Sequence, residues 1–336
     1  MTEAGISVVI PTLNAEKYLN ECLEALRSQE YFGEVEILLI DGGSTDRTLE
    51  IAQSWQVDHV LENPLRTGES GKAVGFRAAN EDLILSVDSD NIVVGSDWLK
   101  RMAQPFEDPE VIASEPLRWD LRSADHFVTR WSALTGVADP LALYVGNYAR
   151  YSYLTDRWTD YPHSAQPREG WTRVVLDPEW VPTLGANGFL VHRRALDLVP
   201  VDDYLFDIDF VHELAQRGER TIGLVDVSIR HYFCDSVGQF SRKTRRRADD
   251  YFFHAAAGDR SYPWPQKRKR AVSRFTASTL LVFPLLLEIV RGARRKRDAA
   301  WLFHVPACWI TLAVYAVATI RGKLRPRMLD RGGWRQ

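Results

Sequence analysis

The residues whose types and spacing suit chemistry best are two aspartates one residue apart. Asp88 and Asp90 close the stretch from Leu83 to Asn91, LILSVDSDN. An apolar run of this length bounded by polar residues reads as a buried strand, along which side chains alternate faces. Both carboxylates are therefore expected to point the same way off the strand's carboxyl end, the edge where open α/β sheets bind ligands. Two like charges so close need a cation between them, and a hard divalent ion that also carries a substrate's phosphates answers that need. The competing reading is a pair of solvated turn residues, since short motifs match by chance.

The elements that must position this pair can be read upstream of it. Ile6 to Ile10 is a β-branched run stopped by Pro11, and Tyr18, Leu19, Cys22, Leu23 and Leu26 follow at helix spacing. Val35 to Ile40 reads as a second buried strand. It ends in Asp41-Gly42-Gly43-Ser44-Thr45-Asp46 before a helix over Arg47 to Trp55. The glycines let backbone approach a ligand closely, and Ser44 or Thr45 can cap the helix. A carboxylate at that strand tip suits a base or ribose better than a phosphate, which it would repel. Val57 to Leu61 reads as an edge strand, and Gly68 to Asn80 as a glycine-rich turn into a helix that offers Lys72 and Arg77 to anionic groups. Alternating strands and helices imply an α/β fold with a doubly wound, mostly parallel sheet. The strand ends at Pro11, Asp41 and Asp88 would share one edge.

Composition narrows the field. The chain has 336 residues, 45% hydrophobic and 26% charged, enough for a large core and about two domains. A net charge of −3 argues against a general nucleic-acid binder, although basic residues crowd the last quarter. Cys22, Cys234 and Cys308 are scattered, which fits a reducing compartment, and no secretory signal is expected in Met1 to Ile10. The dinucleotide fingerprint GxGxxG is missing after the first strand, where PTLNAEKY stands, and there is no GxxxxGK[ST] loop. Nicotinamide and P-loop chemistry are disfavoured.

Five segments in order resemble a family-2 glycosyltransferase of the GT-A fold: SVVIPTLNAEKYL, LLIDGGSTDRT, SVDSDN, LGANGFLVHRRAL and FDIDFVHELAQRG. The resemblance spans roughly Ile6 to Arg247 and gives a catalytic domain over 1–250. It implies inverting transfer of a sugar from a UDP- or GDP-linked donor, assisted by Mg²⁺ or Mn²⁺. By that resemblance Pro11, Thr12, Asn14 and Glu16 line the nucleotide pocket, with Asp41 on the base. Asp88 and Asp90 serve the ribose and the metal-bound diphosphate, with His231 as a further metal ligand. Gly71 and Lys72 lie at the donor, and Gly185 and Asn187 belong to the loop beside the diphosphate and acceptor. The general base falls on Asp207, with Asp209 as its rival, because Phe206 replaces the glutamate expected before it. The plainer readings are that both aspartates open a helix at its favourable end, that Gly185–Gly188 is a hairpin turn, and that His231 is structural. The basic run Arg242, Lys243, Arg245, Arg246 and Arg247 either closes over the diphosphate or is a solvated helix face near lipid headgroups.

The interval 91–184 is rich in aromatics, among them Trp98, Trp119, Trp131, Tyr148, Trp158 and Trp180. It reads as an acceptor-side insertion, although core packing explains most such residues. Residues 251–336 change character. Phe275 to Val290 and Ala299 to Ile320 are apolar, with basic clusters at Lys267 to Arg270, Arg291 to Arg297 and Arg321 to Arg327. A two-span hairpin would strand the middle cluster on the wrong side, so re-entrant or interfacial helices on the cytoplasmic face are expected. A site beside a membrane implies an acceptor held there: a polyprenyl diphosphate-linked saccharide in glycan or polysaccharide assembly. The alternatives are a polyprenyl phosphate acceptor, as in dolichyl-phosphate mannose synthase relatives, and a non-catalytic scaffold that binds nucleotide sugars.

Overall fold

The computed structural model describes residues 3–258, 260–263 and 269–324. Lys267, Arg268 and the basic residues beyond 324 lie outside the described residues. The chain divides into two compact units: one made of the residues up to Asp120 together with Tyr161–His231, the other of Leu121–Asp160 and the described residues from Tyr232 onward.

The first unit is a mixed α/β unit around one sheet. Its strands are β1 (Ile6–Thr12), β2 (Val35–Asp41), β3 (His59–Glu62), β4 (Leu83–Ser86), β5 (Asn91–Val93), β6 (Val111–Trp119), β7 (His163–Arg168), β8 (Trp171–Leu176), β9 (Phe189–His192) and β10 (Thr221–His231). They are ordered β3-β2-β1-β4-β9-β6-β10-β8-β7, with β5 on β10. β3, β2, β1 and β4 pair in parallel, and β6 pairs in parallel with β10. The reversed β9 joins β4 to β6, so six strands of this central sheet run one way. Every residue of β1 is buried, as a central strand of Ile and Val requires.

Register sets the edge that matters. Thr12 pairs with Asp41, and Asp41 with Glu62, so the carboxyl ends of β1, β2 and β3 finish level. The helix Gly68–Ala78 lies directly on β1 because two of its glycines permit the approach. A Cβ on Gly71 would lie 2.7 Å from Pro11 Cβ, and one on Gly75 only 2.2 Å from Val9 Cγ1. The expected glycine-rich turn is thus already helix, begun by a Thr67/Ser70 capping box.

In the second unit Trp131, Leu134, Phe240, Trp301 and Phe303 share one core. The expected boundary at 250 therefore falls instead after His231, and residues 121–160 belong with the C-terminal helices rather than with the sheet. Trp98, Trp131, Tyr148 and Trp158 are buried, so packing accounts for much of the aromatic interval. Helices Lys269–Leu281 and Phe283–Arg295 meet at 94°. The bend sits at Val282, whose φ of 60° no helix interior permits. The segment Ala299–Arg321 is long and apolar enough to cross a membrane. Glu288 and His304 face each other, Oε2 to Nε2 at 2.8 Å, and Tyr144 donates to the other Glu288 oxygen at 3.0 Å.

Candidate functional site

The carboxyl ends of β1 and β2 carry a loop pair stitched together by its own polar side chains. Asp41 Oδ1 accepts from Thr12 Oγ1 at 3.0 Å and Ser44 Oγ at 2.5 Å, while Oδ2 accepts from the backbone N–H groups of Gly43 and Ser44. A carboxylate offers about four acceptor sites, and all are filled here. Asp41, expected at a nucleotide base, here clamps the loop that follows β2 with its side chain. Asn14 accepts from Thr45 N at 2.9 Å, and Glu16 accepts from Arg47 N at 3.1 Å. These side chains also join the two loops.

Gly71 is corrected in the same way. It is buried against Pro11, so its missing side chain serves helix-to-sheet contact, not approach to a phosphate. Lys72, one residue on, is the surprise of the site. Its Nζ sits 3.1 and 2.9 Å from the two oxygens of Asp207 and 3.8 Å from Asp88 Oδ1. The lysine side chain is 6% exposed, whereas Asp207 is 22% and Asp88 35% exposed. The positive charge expected between paired carboxylates is therefore a lysine, and the pair is Asp88 with Asp207.

Asp88 and Asp90 meet different partners. β4 ends at Ser86, so the alternation of a strand no longer governs the residues after Val87. A tight turn replaces it, in which Asn91 N donates to Asp88 O, Asn91 Oδ1 accepts from Asp88 N, and Asn91 Nδ2 donates to Asp90. Asp90 Oδ1 faces His231 Nε2 at 3.8 Å, and the imidazole packs edge-on against Trp119 with ring centroids 5.5 Å apart. Among the described residues no cluster of three His, Cys, Asp or Glu side chains could hold a metal. The expected trio of Asp88, Asp90 and His231 reduces to Asp90 and His231, because Asp88 is turned to Lys72. One carboxylate oxygen and one imidazole nitrogen at this spacing fit a Mg²⁺ or Mn²⁺ ion that takes its remaining ligands from phosphate oxygens and water.

Asp207 begins the helix Asp207–Gln216, where a carboxylate meets the favourable end of the helix dipole. Burial nevertheless pushes its carboxyl up, and Lys72 pulls it back, for a net value of about 6. Lys72 is held well above the ordinary lysine range despite its burial, by Asp207 first and Asp88 second. A carboxylate poised near neutrality and about one-fifth exposed is the right kind of group to take a proton at physiological pH. Asp209 is no rival. Two residues along a helix turn about 200°, and Asp209 lies on the buried face at 6% exposure.

The Gly185–Gly188 turn approaches protein, not open space. Gly185, at φ +105°, lies so close to Asp207 that a Cβ would come within 2.8 Å of its Cβ and carbonyl oxygen. Gly188 N donates to Ser86 O at the end of β4, and Asn187 holds φ 55° between them. Sequence reasoning missed Glu115, fully buried on β6, which accepts the Gly185 N–H at 2.7 Å. A single carboxylate after the apolar VIAS was its only signal. It missed Arg230 as well, which bridges Glu21 at 2.8 Å and Asp120 at 3.0 Å.

The site is an α/β sheet edge with an acidic turn after the fourth strand and a lysine-held aspartate beside it. Residues 7–131 match the family described as glycosyl transferase family 2. It is 42% identical over 87 residues to the dolichyl N-acetyl-α-D-glucosaminyl phosphate 3-β-D-2,3-diacetamido-2,3-dideoxy-β-D-glucuronosyltransferase of Methanococcus voltae, covering 24% of this chain and 27% of that protein. It is 30% identical over 132 residues to an N-acetylglucosaminyltransferase of Rhizobium leguminosarum bv. viciae, covering 38% and 31%. The chain thus spans about a third or less of these curated relatives. Among solved structures, the mannosyltransferase PcManGT from Pyrobaculum calidifontis, in complex with GDP-Man and Mn²⁺, superposes with a TM-score of 0.53 at 16% identity, over 95% of this chain and 87% of that one. That likeness establishes the shared fold.

Proposed function

We propose that the chain is an inverting glycosyltransferase that moves a sugar from a nucleotide-diphosphate donor to a saccharide hydroxyl on a lipid-linked acceptor. The observation that carries the reading is Asp207, held by Lys72 next to the acidic turn and poised near pH 6. In the reaction the acceptor oxygen attacks the anomeric carbon, the bond from that carbon to the phosphate oxygen breaks, and the hydroxyl proton passes to Asp207. The diphosphate leaves with the electron pair. A divalent ion held by Asp90 and His231 would supply the charge that balances it, without any proton transfer.

The same base bears on the acceptor. A polyprenyl phosphate attacks through an oxygen that is already anionic and needs no proton removed, so a poised carboxylate favours a sugar hydroxyl. The Methanococcus relative, whose name specifies a dolichyl phosphate-linked sugar as acceptor, supports this choice. Membrane association is part of the proposal. Leu280, Leu281, Phe283, Leu286 and Leu287 are all exposed around the 94° bend, with Arg291, Arg294 and Arg295 a turn or two beyond. An apolar bend with a basic flank suits insertion into an anionic cytoplasmic leaflet, each basic residue adding about 1 kcal/mol near the surface. A groove lined by Arg245 and Arg321 above Ile310, Val314 and Val317 offers the same mixture of charge and apolar surface.

A donor screen by thermal shift, run with Mn²⁺ and Mg²⁺, followed by extraction of lipids after incubation with labelled donor, tests the reading. A labelled lipid carrying at least two sugars is the expected product. A single-sugar lipid phosphate would transfer the assignment to the polyprenyl phosphate class. Undiminished turnover by Asp207→Asn would refute the base, and no turnover by the wild type with any donor would leave a nucleotide-sugar-binding scaffold.

A further inference from the structure

The geometry points to Glu115 as a positioning residue for Asp207, acting through the Gly185–Gly188 turn; this rests on the glycosyl-transfer reading above. A glutamate with no exposed surface in the middle of a strand is costly unless its charge is met by donors. Here one carboxyl oxygen takes the N–H of Gly185 at 2.7 Å, a short bond in a low-dielectric setting. Gly185 in turn is in contact with the backbone and Cβ of Asp207, and its positive φ of 105° is a conformation that only a glycine adopts readily. The far end of the turn is fixed as well. Gly188 N donates to Ser86 O, two residues before Asp88, and a Cβ there would meet Ile229, Trp98 and Pro116. Pro116 is Glu115's own neighbour on β6. β6 therefore holds the Gly185 end, and β4 the Gly188 end, of a four-residue turn that touches the base at one end and the strand leading to the acidic turn at the other.

The consequence is a division of labour. Lys72 fixes the charge of Asp207, and the turn anchored by Glu115 fixes its place. Loss of the anchor frees Gly185 from β6 and lets the first turn of the Asp207–Gln216 helix shift, while the loops after β1 and β2 keep their own hydrogen bonds. A displacement of about 1 Å at a reacting group costs on the order of a hundredfold in rate. The effect should fall on kcat and leave nucleotide binding nearly intact.

Glu115→Ala and the milder Glu115→Gln, whose amide oxygen still accepts from Gly185, test this in the full chain. The first measurement is amide hydrogen exchange over residues 185–188 and 205–210. Faster exchange in both segments in Glu115→Ala, restored in Glu115→Gln, is expected. Unchanged exchange overturns the proposal whatever the reaction is. The second is the split between kcat and nucleotide affinity with Mn²⁺. A kcat drop of about a hundredfold in Glu115→Ala with affinity within about twofold of wild type, largely rescued in Glu115→Gln, is expected. Equal losses of kcat and affinity, or no loss of kcat, overturn it. Absence of turnover in the wild type refutes the glycosyl-transfer reading alone, because the exchange result stands apart from it.

Discussion

Replacing Lys72 by methionine keeps the length of the side chain and removes the charge that sits 2.9 and 3.1 Å from the oxygens of Asp207. In the intact protein burial raises the Asp207 carboxyl and the lysine opposes it, with about 6 as the outcome. An opposite charge at such a distance lowers a carboxylate by roughly 1–3 pH units. The lysine is almost wholly buried, so solvent screens little of this. Without it, burial acts unopposed and the neighbouring Asp88 adds like-charge repulsion in the same direction. A general base works in its deprotonated form, so activity is lost as pH falls through its pKa. Raising the pKa moves that loss to higher pH. The acid limb of kcat/KM, which reports the free enzyme, should lie near pH 6 in the wild type and move up by roughly 1–3 units in Lys72→Met. At pH 7 the ionised fraction of Asp207 would fall from about nine-tenths to between about a half and about a hundredth. The assay is the initial rate of labelled sugar transfer from about pH 5 to about pH 9, with nucleotide affinity measured alongside. If the acid limbs of the two proteins coincide while the rate falls evenly at every pH, Lys72 does not tune the base and the argument fails.

Three further outcomes follow from the geometry. Asp90→Asn and His231→Ala should each abolish most of the metal-dependent part of nucleotide thermal stabilisation while leaving the metal-free part; retention of the full Mn²⁺ effect in both would exclude them as ligands. Gly75→Ala drives a methyl group to within 2.2 Å of Val9, so it should cost about 1–3 kcal/mol in chemical denaturation, with much of the loss recovered in the double variant carrying Val9→Ala. Glu288→Ala removes the acceptor of Tyr144 and the partner of the fully buried His304, and should cost about 1–3 kcal/mol by thermal melting in detergent, with Glu288→Gln milder; equal melting of all three proteins would show the contact to be idle.

What the sequence discloses and what it conceals divide along the range of the interactions. The strands β1, β2 and β4 are apolar runs of local origin, and the periodicity that marks them is the cause of their burial. The segment Ala299–Arg321 was legible for the same reason, through length and hydropathy, whereas the break at Val282 within the run Phe275 to Val290 was not. The pairing of Lys72 with Asp207 joins positions 135 residues apart. No spacing rule reaches that far, so the lysine read only as a generic anion binder. Glu115 was hidden because a lone acidic residue in a strand looks like a surface residue until the strand is placed at the centre of a sheet. The motif residues themselves were conspicuous, yet several were conspicuous for another cause than contact with a ligand. Asn14, Glu16, Asp41 and Ser44 spend their polar atoms on each other's loops, which holds the ends of β1 and β2 level. The proposed chemistry falls instead to groups that face opposite charges or an imidazole: Asp88 and Asp207 on Lys72, and Asp90 opposite His231. A carboxylate whose acceptor sites are filled by its own loops has no lone pair left for a substrate, whereas one balanced by a single lysine can give up that partner as a substrate enters. The residues proposed to react are therefore paired through tertiary contacts, beyond the reach of a local pattern.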